Sequence, residues 1–270
     1  MVLMDFSKAS YMALKYAISM AKMQNACIHI FHVIDQDEKA ADENLDSVTQ
    51  IIEKERKSVK ILQSSICEMI HTEGIKTNSM VEFGDLIWMI KDQTQKIDPD
   101  LVFVGKKAGK QKNDSRLIKY LLDDYQGSIL IVQKENQFVS TSQIVLGCSE
   151  RTLKSCNVDF ALDLGKLTTK TLHAFHVQKT NFYSKSKGLL EEWNNLQNNS
   201  EIECTYHKGT RILDGIVSFI QQSKSDLVCL GRGKRNQSFW SKIFDSPGYL
   251  DQLVDRVNIP ILVLKTNSEI

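Results

Sequence analysis

The chain repeats the stretch Asp100-Leu101-Val102-Phe103-Val104-Gly105-Lys106 as Asp226-Leu227-Val228-Cys229-Leu230-Gly231-Arg232. Short, continuous apolar runs of this kind are typical of strands that are buried on both faces of a parallel sheet. Two further stretches recur in the same order: Ile28-His29-Ile30-Phe31-His32-Val33 as Leu172-His173-Ala174-Phe175-His176-Val177, and Ile129-Leu130-Ile131-Val132 as Ile261-Leu262-Val263-Leu264. Each copy is as long as a domain, so the repeats indicate two similar domains rather than a solenoid of short units.

The length of the chain agrees with a duplicated domain. Its 270 residues divide into two units of about 135 residues, which is an ordinary domain size. We expect the domains to span 1–138 and 139–270, with the second more divergent. The stretch 133–142 between them is polar and free of glycine, which indicates a short link between two units that lie close together.

Short apolar runs alternate with amphipathic segments in both halves, which predicts an α/β fold with a parallel sheet and helices on both faces. In the first half, Ser7 is a plausible N-cap for a helix through Lys22, and a long helix is predicted over 38–72. The second half is expected to carry one helix over 152–167 and a shorter one over 182–196. The last strands, 129–132 and 261–264, should lie side by side and antiparallel, because pairing removes two exposed apolar edges.

Composition excludes several functional classes. The net charge is +1, so no global field favours nucleic acid or a membrane surface. The sequence shows no apolar run long enough to span a bilayer and no signal-peptide pattern at its start. The six cysteines include no Cys-x-x-Cys pair, which favours free thiols and a cytoplasmic location.

The first half resembles a universal stress protein domain in these stretches, taken in order: Val2-Leu3-Met4-Asp5-Phe6-Ser7, Phe31-His32-Val33, Gly84-Asp85 and Asp100-Leu101-Val102-Phe103-Val104-Gly105. The second half is similar through Ser149, Phe175-His176-Val177, Asp226-Leu227-Val228-Cys229-Leu230-Gly231 and Ile259-Pro260-Ile261-Leu262-Val263-Leu264. The resemblance covers nearly the whole chain as a tandem pair. It implies a five-stranded, Rossmann-like sheet in each half, of the adenine nucleotide alpha hydrolase type, and pairing of the halves through their last strands.

ATP-binding members of that family carry a glycine pattern after the fourth strand: Gly, two residues, Gly, nine residues, Gly, then Ser or Thr. Glycines let the backbone approach the phosphates, and the amides of a helix N-terminus cradle them. After Gly105 the second glycine position holds Ala108, and the Gly-Ser position falls near Ser115 and Arg116. After Gly231 the second glycine position holds Lys234. The sequence therefore predicts weak or absent ATP binding, with no firm cofactor.

If a nucleotide binds, the resemblance places it at the carboxyl ends of the first-half strands. That candidate site consists of Asp5, Val33, Gly105, Lys106, Gly109, Lys110 and Ser115. A weaker second-half candidate consists of Gly231, Gly233, Ser246 and Gly248. The family's adenosine-contacting aspartate matches Asp5, whereas alignment of the sequence puts Gly147 at that position in the second half.

Each candidate also has a structural interpretation. The basic residues after Gly105 and Gly231 can simply be solvated loops, and Asp5 can be a turn or cap residue beside Ser7. His29 and His32 lie three apart on a strand and point to opposite faces, so strand packing is favoured over metal binding. No Ser-His-Asp, Cys-His or paired-carboxylate arrangement of catalytic spacing is visible, so the sequence gives no support for an enzyme.

The function that the sequence favours is a non-catalytic cytoplasmic stress-response protein that acts through ligand or partner binding. One alternative is an ATP-binding sensor that uses the first-half site. Another is a purely structural interaction module. A homodimer is left open by the sequence.

Overall fold

The computed structural model describes residues 1–36, 45–107, 112–133, 142–179, 202–209, 211–232 and 249–267. The first half contains, in chain order, β1 (Val2–Leu3), α1 (Lys8–Gln24), β2 (Ile28–Asp35), α2 (Leu45–Thr72), β3 (Thr77–Gly84), α3 (Leu86–Ile97), β4 (Leu101–Gly105), α4 (Lys112–Asp123) and β5 (Ser128–Val132). The second half contains β6 (Ile144–Gly147), α5 (Glu150–Ser155), α6 (Val158–Lys166), β7 (Leu172–Lys179), β8 (Ile202–Gly209), α7 (Ile212–Ser223), β9 (Leu227–Gly231), α8 (Tyr249–Arg256) and β10 (Ile261–Leu264). The helix predicted over 182–196 and the predicted start of α2 at 38 lie outside the described residues.

All ten strands form one sheet, in the order β3-β2-β1-β4-β5-β10-β9-β6-β7-β8. Within each half the neighbouring strands are parallel. The second half repeats the strand order of the first, reflected across the middle of the sheet. The predicted α/β fold, with five parallel strands in each half, is confirmed.

The two halves join through their last strands. β10 pairs with β5 antiparallel, so that Ile261 lies opposite Ile131 and Val263 opposite Ile129. The apolar side chains of both strands are inaccessible to solvent. The predicted pairing is therefore confirmed, and it leaves β3 and β8 as the two edges of the sheet.

Helices cover both faces of the sheet, as the alternation of segments predicts. Residues of α1, α2 and α6 pack on one face, and residues of α3, α4, α7 and α8 on the other. Helix α1 begins where predicted, because the Ser7 hydroxyl accepts a hydrogen bond from the Ser10 amide at 3.2 Å. None of the described helices combines the length and the hydropathy that a membrane-spanning segment needs.

The single helix predicted over 152–167 is wrong, because the chain breaks into α5 and α6 at Cys156. Cys156 is extended and forms an isolated antiparallel bridge with Thr266, just beyond β10. The Asn267 amide donates to the Ser155 carbonyl at 2.7 Å, and the Asn157 amide donates to the Lys265 carbonyl at 3.0 Å. The chain after β10 thus forms hydrogen bonds with backbone groups that would bond within a continuous helix. No local sequence signal marks this break.

Arg232, the first residue after β9, reaches from the second half into the first. Its side chain is buried and donates to the carbonyls of Leu121 at 2.9 Å, Leu122 at 2.7 Å and Gly127 at 3.0 Å. The first two carbonyls belong to the last turn of α4, where they have no partner within the helix and carry the negative end of its dipole. Burial lowers the pKa of Arg232 to about 10, so the guanidinium stays charged at neutral pH.

A matching set of contacts runs in the other direction. Lys106, the first residue after β4, forms an ion pair with Asp255 of α8. The side-chain amide of Gln133 donates to the Val254 carbonyl at 2.5 Å, near the end of the same helix. Each half therefore stabilises the carboxyl end of the helix that precedes the last strand of the other half.

We expect Arg232→Ala to lower the free energy of unfolding by roughly 2–4 kcal/mol, because three carbonyls at the boundary lose a charged donor. Arg211→Ala is the matched control. Arg211 belongs to the same half, but its side chain is 80% exposed and pairs with Asp214 at the surface, so its loss should cost less than about 1 kcal/mol. Urea unfolding followed by circular dichroism measures both, and equal midpoints for the two variants would contradict the assigned role.

All six cysteines are free thiols, and we expect them to differ in reactivity. Cys27 is exposed, whereas Cys148 and Cys229 are buried and burial raises the pKa of both thiols. Alkylation of the native protein should label Cys27 first and spare the two buried thiols, because the thiolate is the reactive form. Mass spectrometry after denaturation without reductant should show six adducts, and a stable shortfall of two would reveal a disulfide.

Candidate functional site

The strand order brings the carboxyl ends of β1 and β4 together in the first half, where a ligand crevice is expected in open α/β sheets. Asp5 follows β1, and Gly105 ends β4. β2 continues to Asp35, so Val33 lies within the strand, where it packs with the α3 and α4 face of the core. Gly109 and Lys110 lie outside the described residues.

Asp5 is held by two groups of the protein itself. Its carboxylate accepts from the Ser7 amide at 3.0 Å and pairs with the Lys107 ammonium at 2.7 Å. Burial would raise the pKa of Asp5, but the hydrogen bonds from Lys107, Ser7 and Ser10 outweigh it and lower the pKa to about 2. The carboxylate is thus charged at neutral pH, and its side chain remains 44% exposed. These contacts and the partial exposure of Asp5 favour neither a pure turn role nor a pure ligand role.

Phe6 gives the turn before α1 an unusual backbone. Its φ is 59°, in the left-handed region that aromatic residues rarely adopt. Its ring lies 5.1 Å from the His32 ring, and the His32 Nδ1–H donates to the Met4 carbonyl at 2.6 Å. The ring contact and the hydrogen bond fix the turn that carries Asp5, and sequence patterning does not reveal the strained residue between Asp5 and Ser7.

Gly105 has a structural reason to be glycine. A Cβ at this position would lie 2.2 Å from the carbonyl carbon of Ala9 and 2.4 Å from the Ser10 amide nitrogen, because the first turn of α1 packs directly on the strand. Gly231 has the same need, since a Cβ there would lie 2.8 Å from the Cys156 sulfur. Both strand-ending glycines are therefore explained by packing of a helix, without a phosphate.

The other predicted first-half ligands are not brought together. Lys106 turns to Asp255 in the second half, and Lys107 is the residue that meets Asp5. α4 starts at Lys112 rather than near 115, so Ser115 lies within the helix and is exposed instead of standing at its N-terminus. Arg116 pairs with Asp85 at 3.2 Å, which ties α4 to the start of α3.

The second-half equivalent of Asp5 is Ser149, not Gly147. Gly147 lies beside Phe175 and Leu230 in the sheet, as Leu3 lies beside Phe31 and Val104. The assignment of Gly147 is therefore wrong by two residues, because the turn before α5 is shorter than the turn before α1. An alignment that matches Ser7 with Ser149 hides this difference in the length of the turn.

Ser149 is buried, unlike Asp5, and it caps α5. Its hydroxyl accepts from the Thr152 amide at 3.0 Å. Of the second-half candidate site the structure describes only Gly231, which packs against Thr152 of α5 and against Cys156. Gly233, Ser246 and Gly248 lie outside the described residues. The neighbouring cation, Arg232, points away to the first half.

Three of the strand histidines form hydrogen bonds within the protein. The His176 Nδ1–H donates to the Cys148 carbonyl at 2.8 Å, which repeats the contact between His32 and Met4. His173 bonds the Thr205 hydroxyl at 3.0 Å. In the part of the chain that the structure describes, no three His, Cys, Asp or Glu side chains meet as metal ligands would.

A shallow pocket lies elsewhere, between the edge strand β8 and α7. It is lined by Gln143, His173, Thr205, Tyr206, His207, Phe219, Gln222 and Ser223. It contains none of the predicted site residues and belongs to neither crevice, so it does not alter the choice of the first-half crevice as the candidate site.

We expect Lys107→Ala to raise the pKa of Asp5 towards the ordinary value of 3.8, because the carboxylate loses its cationic partner. A folded-state pKa below the unfolded one stabilises the protein above the unfolded pKa, and this contribution is lost as the pH falls towards 2. Lys107→Ala should therefore reduce this contribution, so that less stability is lost between about pH 4 and about pH 2. Carboxyl carbon NMR titration measures the shift, and Lys106→Ala, whose partner is Asp255, should leave Asp5 unchanged.

Comparison with known proteins supports the assignment of the fold. The family model described as the universal stress protein family matches residues 1–122. No curated protein sequence matches the chain. A universal stress protein from Archaeoglobus fulgidus DSM 4304 is 18% identical and superposes with a TM-score of 0.75, over 99% of this chain and 96% of that protein.

Two Pseudomonas aeruginosa structures are also similar over nearly their whole length. A protein of unknown function from strain PAO1 has a TM-score of 0.65 at 15% identity, over 98% of this chain and 91% of its own. A protein described as a universal stress protein from strain UCBPP-PA14 has a TM-score of 0.66 at 14% identity, over 98% and 92%. At these identities the likeness shows a shared tandem fold. Residues 1–122 match the universal stress protein family, and the second half of the chain repeats the fold of the first.

Proposed function

We propose that this chain is a non-catalytic, cytoplasmic universal stress protein that acts by binding a ligand or a protein partner rather than by turning over a substrate. One observation carries the proposal: the cations that begin the loops after β4 and β9 already have partners inside the protein. Lys106 pairs with Asp255, Lys107 pairs with Asp5, and Arg232 bonds three carbonyls. Six free thiols support the cytoplasmic location.

These internal contacts weaken the case for tight ATP binding. A triphosphate needs donors that are available when it arrives, and each charge-assisted hydrogen bond that is missing costs roughly 1.5–3 kcal/mol, or about tenfold to a hundredfold in affinity. Recruiting Lys107 would separate it from Asp5. Recruiting Arg232 would leave buried carbonyls without a donor. With the incomplete glycine pattern, we expect millimolar affinity or none.

An ATP-binding sensor is the second candidate, and one feature of the first half favours it. Asp5 is charged at neutral pH and remains partly exposed at the end of β1, where it can accept hydrogen bonds from an adenosine. In this alternative Lys107 leaves Asp5 and meets a phosphate. Ser149, the second-half counterpart, is buried and caps a helix, so the sensor would have a single site.

A purely structural interaction module is the third candidate. The continuous sheet and the reciprocal contacts between the halves would suit a rigid scaffold without a small ligand. We also propose the division into 1–138 and 139–270. The strands of the first half end with β5, and those of the second half begin with β6.

We expect a titration with a fluorescent ATP analogue to give a dissociation constant in the millimolar range or no saturation, with no ADP formed on prolonged incubation. Asp5→Ala should weaken any residual binding by about tenfold to a hundredfold, because it removes a charged acceptor. Asp92→Ala is the matched control, since Asp92 lies on α3 and pairs with Lys96.

Micromolar affinity that is lost in Asp5→Ala and kept in Asp92→Ala would contradict the proposal and establish the sensor. Arg232→Ala cannot serve as a control, because its loss disturbs the boundary between the halves. Binding that survives Asp5→Ala would place the ligand outside the first-half crevice.

A further inference from the structure

Helix α2 carries a second apolar face that points away from the sheet. Its inner residues, such as Val59, Ile66 and Ile70, are buried against the sheet. Its outward side chains include Ile51, Ile61, Leu62 and Met69, which are 40%, 68%, 45% and 49% exposed. Four of the seven exposed large hydrophobic residues in the described part of the chain thus belong to this one helix, which marks the face as more than scattered surface residues.

The exposed residues follow helical spacing and alternate in size. Ile51, Ser58, Leu62, Ser65 and Met69 recur every three, four or seven residues, as the seam of a helix pair does. The hydroxyls of Ser58 and Ser65 bond to carbonyls of their own helix, at 3.0 and 3.2 Å. These serines are therefore small residues between large apolar ones, and their hydroxyls already have hydrogen-bond partners. Together with Ile61, these residues define the outer face of α2.

We propose that the outer face of α2 binds the same face of a second copy of this chain, with the two helices antiparallel. A two-fold axis level with the midpoint between Gln63 and Ser64 sets Met69 over Ser58 of the second copy, and Leu62 beside Ser65. Large side chains then fill the spaces left by small ones, which is the arrangement that close helix packing requires.

The charges beside the outer face favour this orientation. Lys57 and Glu68 flank the same side of the apolar seam, and both are exposed. An antiparallel pair places Lys57 opposite Glu68 of the second copy, and symmetry makes this contact twice. In a parallel pair the two-fold axis runs along the helices, so these flanks lie on opposite sides of the interface and the contact between Lys57 and Glu68 is lost.

The fold restricts two other routes to self-association. β5 and β10 pair within the chain, so a second copy cannot use them. At the free edge β3, the buried side-chain amide of Gln63 donates to the Met80 carbonyl at 3.1 Å. An added strand would need this carbonyl as a hydrogen-bond acceptor. The outer face extends over about 27 Å at 1.5 Å per residue, so we expect a small interface and a dissociation constant on the order of 10–100 μM.

Sedimentation of the full chain over a range of concentrations tests the proposal. We expect a monomer–dimer equilibrium for the wild type, weakened at least tenfold by Leu62→Glu, which sets a charge in the apolar seam. Trp88→Glu is the matched control. Trp88 is an apolar residue that is 59% exposed on α3, on the opposite face of the sheet, so its substitution should leave the equilibrium unchanged.

The charge pair tests the orientation without touching the apolar seam. Lys57→Glu should weaken the dimer, because two like-charge contacts replace two favourable ones. Adding Glu68→Lys to that variant should restore it. A wild type that stays monomeric at several hundred micromolar, a dimer that persists in Leu62→Glu, or a double variant that fails to recover would each overturn the proposal.

Discussion

The antiparallel pairing of β5 with β10 is the constraint on which the rest of the structure depends. It turns two five-stranded sheets into one and buries the apolar edge that each half would otherwise expose. Because the pairing is two-fold symmetric, it also brings the residue after β4 against the second half and the residue after β9 against the first. Lys106 and Arg232 begin those loops, and each is bound by the other half. These two cations, which begin the basic loops singled out in the sequence, therefore serve the boundary between the halves.

The two halves have diverged most at the end of the first strand. In the first half a three-residue turn projects Asp5 towards solvent, and the left-handed backbone of Phe6 allows the turn to close on Ser7. In the second half the turn is shorter, and Ser149 both follows the strand and caps the helix. The first half thus has a partly exposed charge at this position, whereas the second half has a buried helix cap. This asymmetry is why the proposed ligand site lies in the first half.

The sequence was sufficient to predict those features that arise from local periodicity and repetition: the strands, the helix capped by Ser7, the parallel halves and their pairing through 129–132 and 261–264. It could not predict contacts between residues that are distant along the chain. The break at Cys156 depends on the segment after β10, and the burial of Arg232 depends on the carbonyls of another half. The equivalence of Asp5 and Ser149 depends on strand register, which alignment on a nearby serine misplaced by two residues.

Arg232 has a consequence for how a duplicated protein can change. Once a side chain in one copy supplies donors to the backbone of the other, the two copies no longer vary independently. A substitution that returned position 232 to a residue suited to a free phosphate loop would strip a helix end in the first copy of its donors. A ligand site in the second half that used position 232 would then require compensating changes in both copies at once.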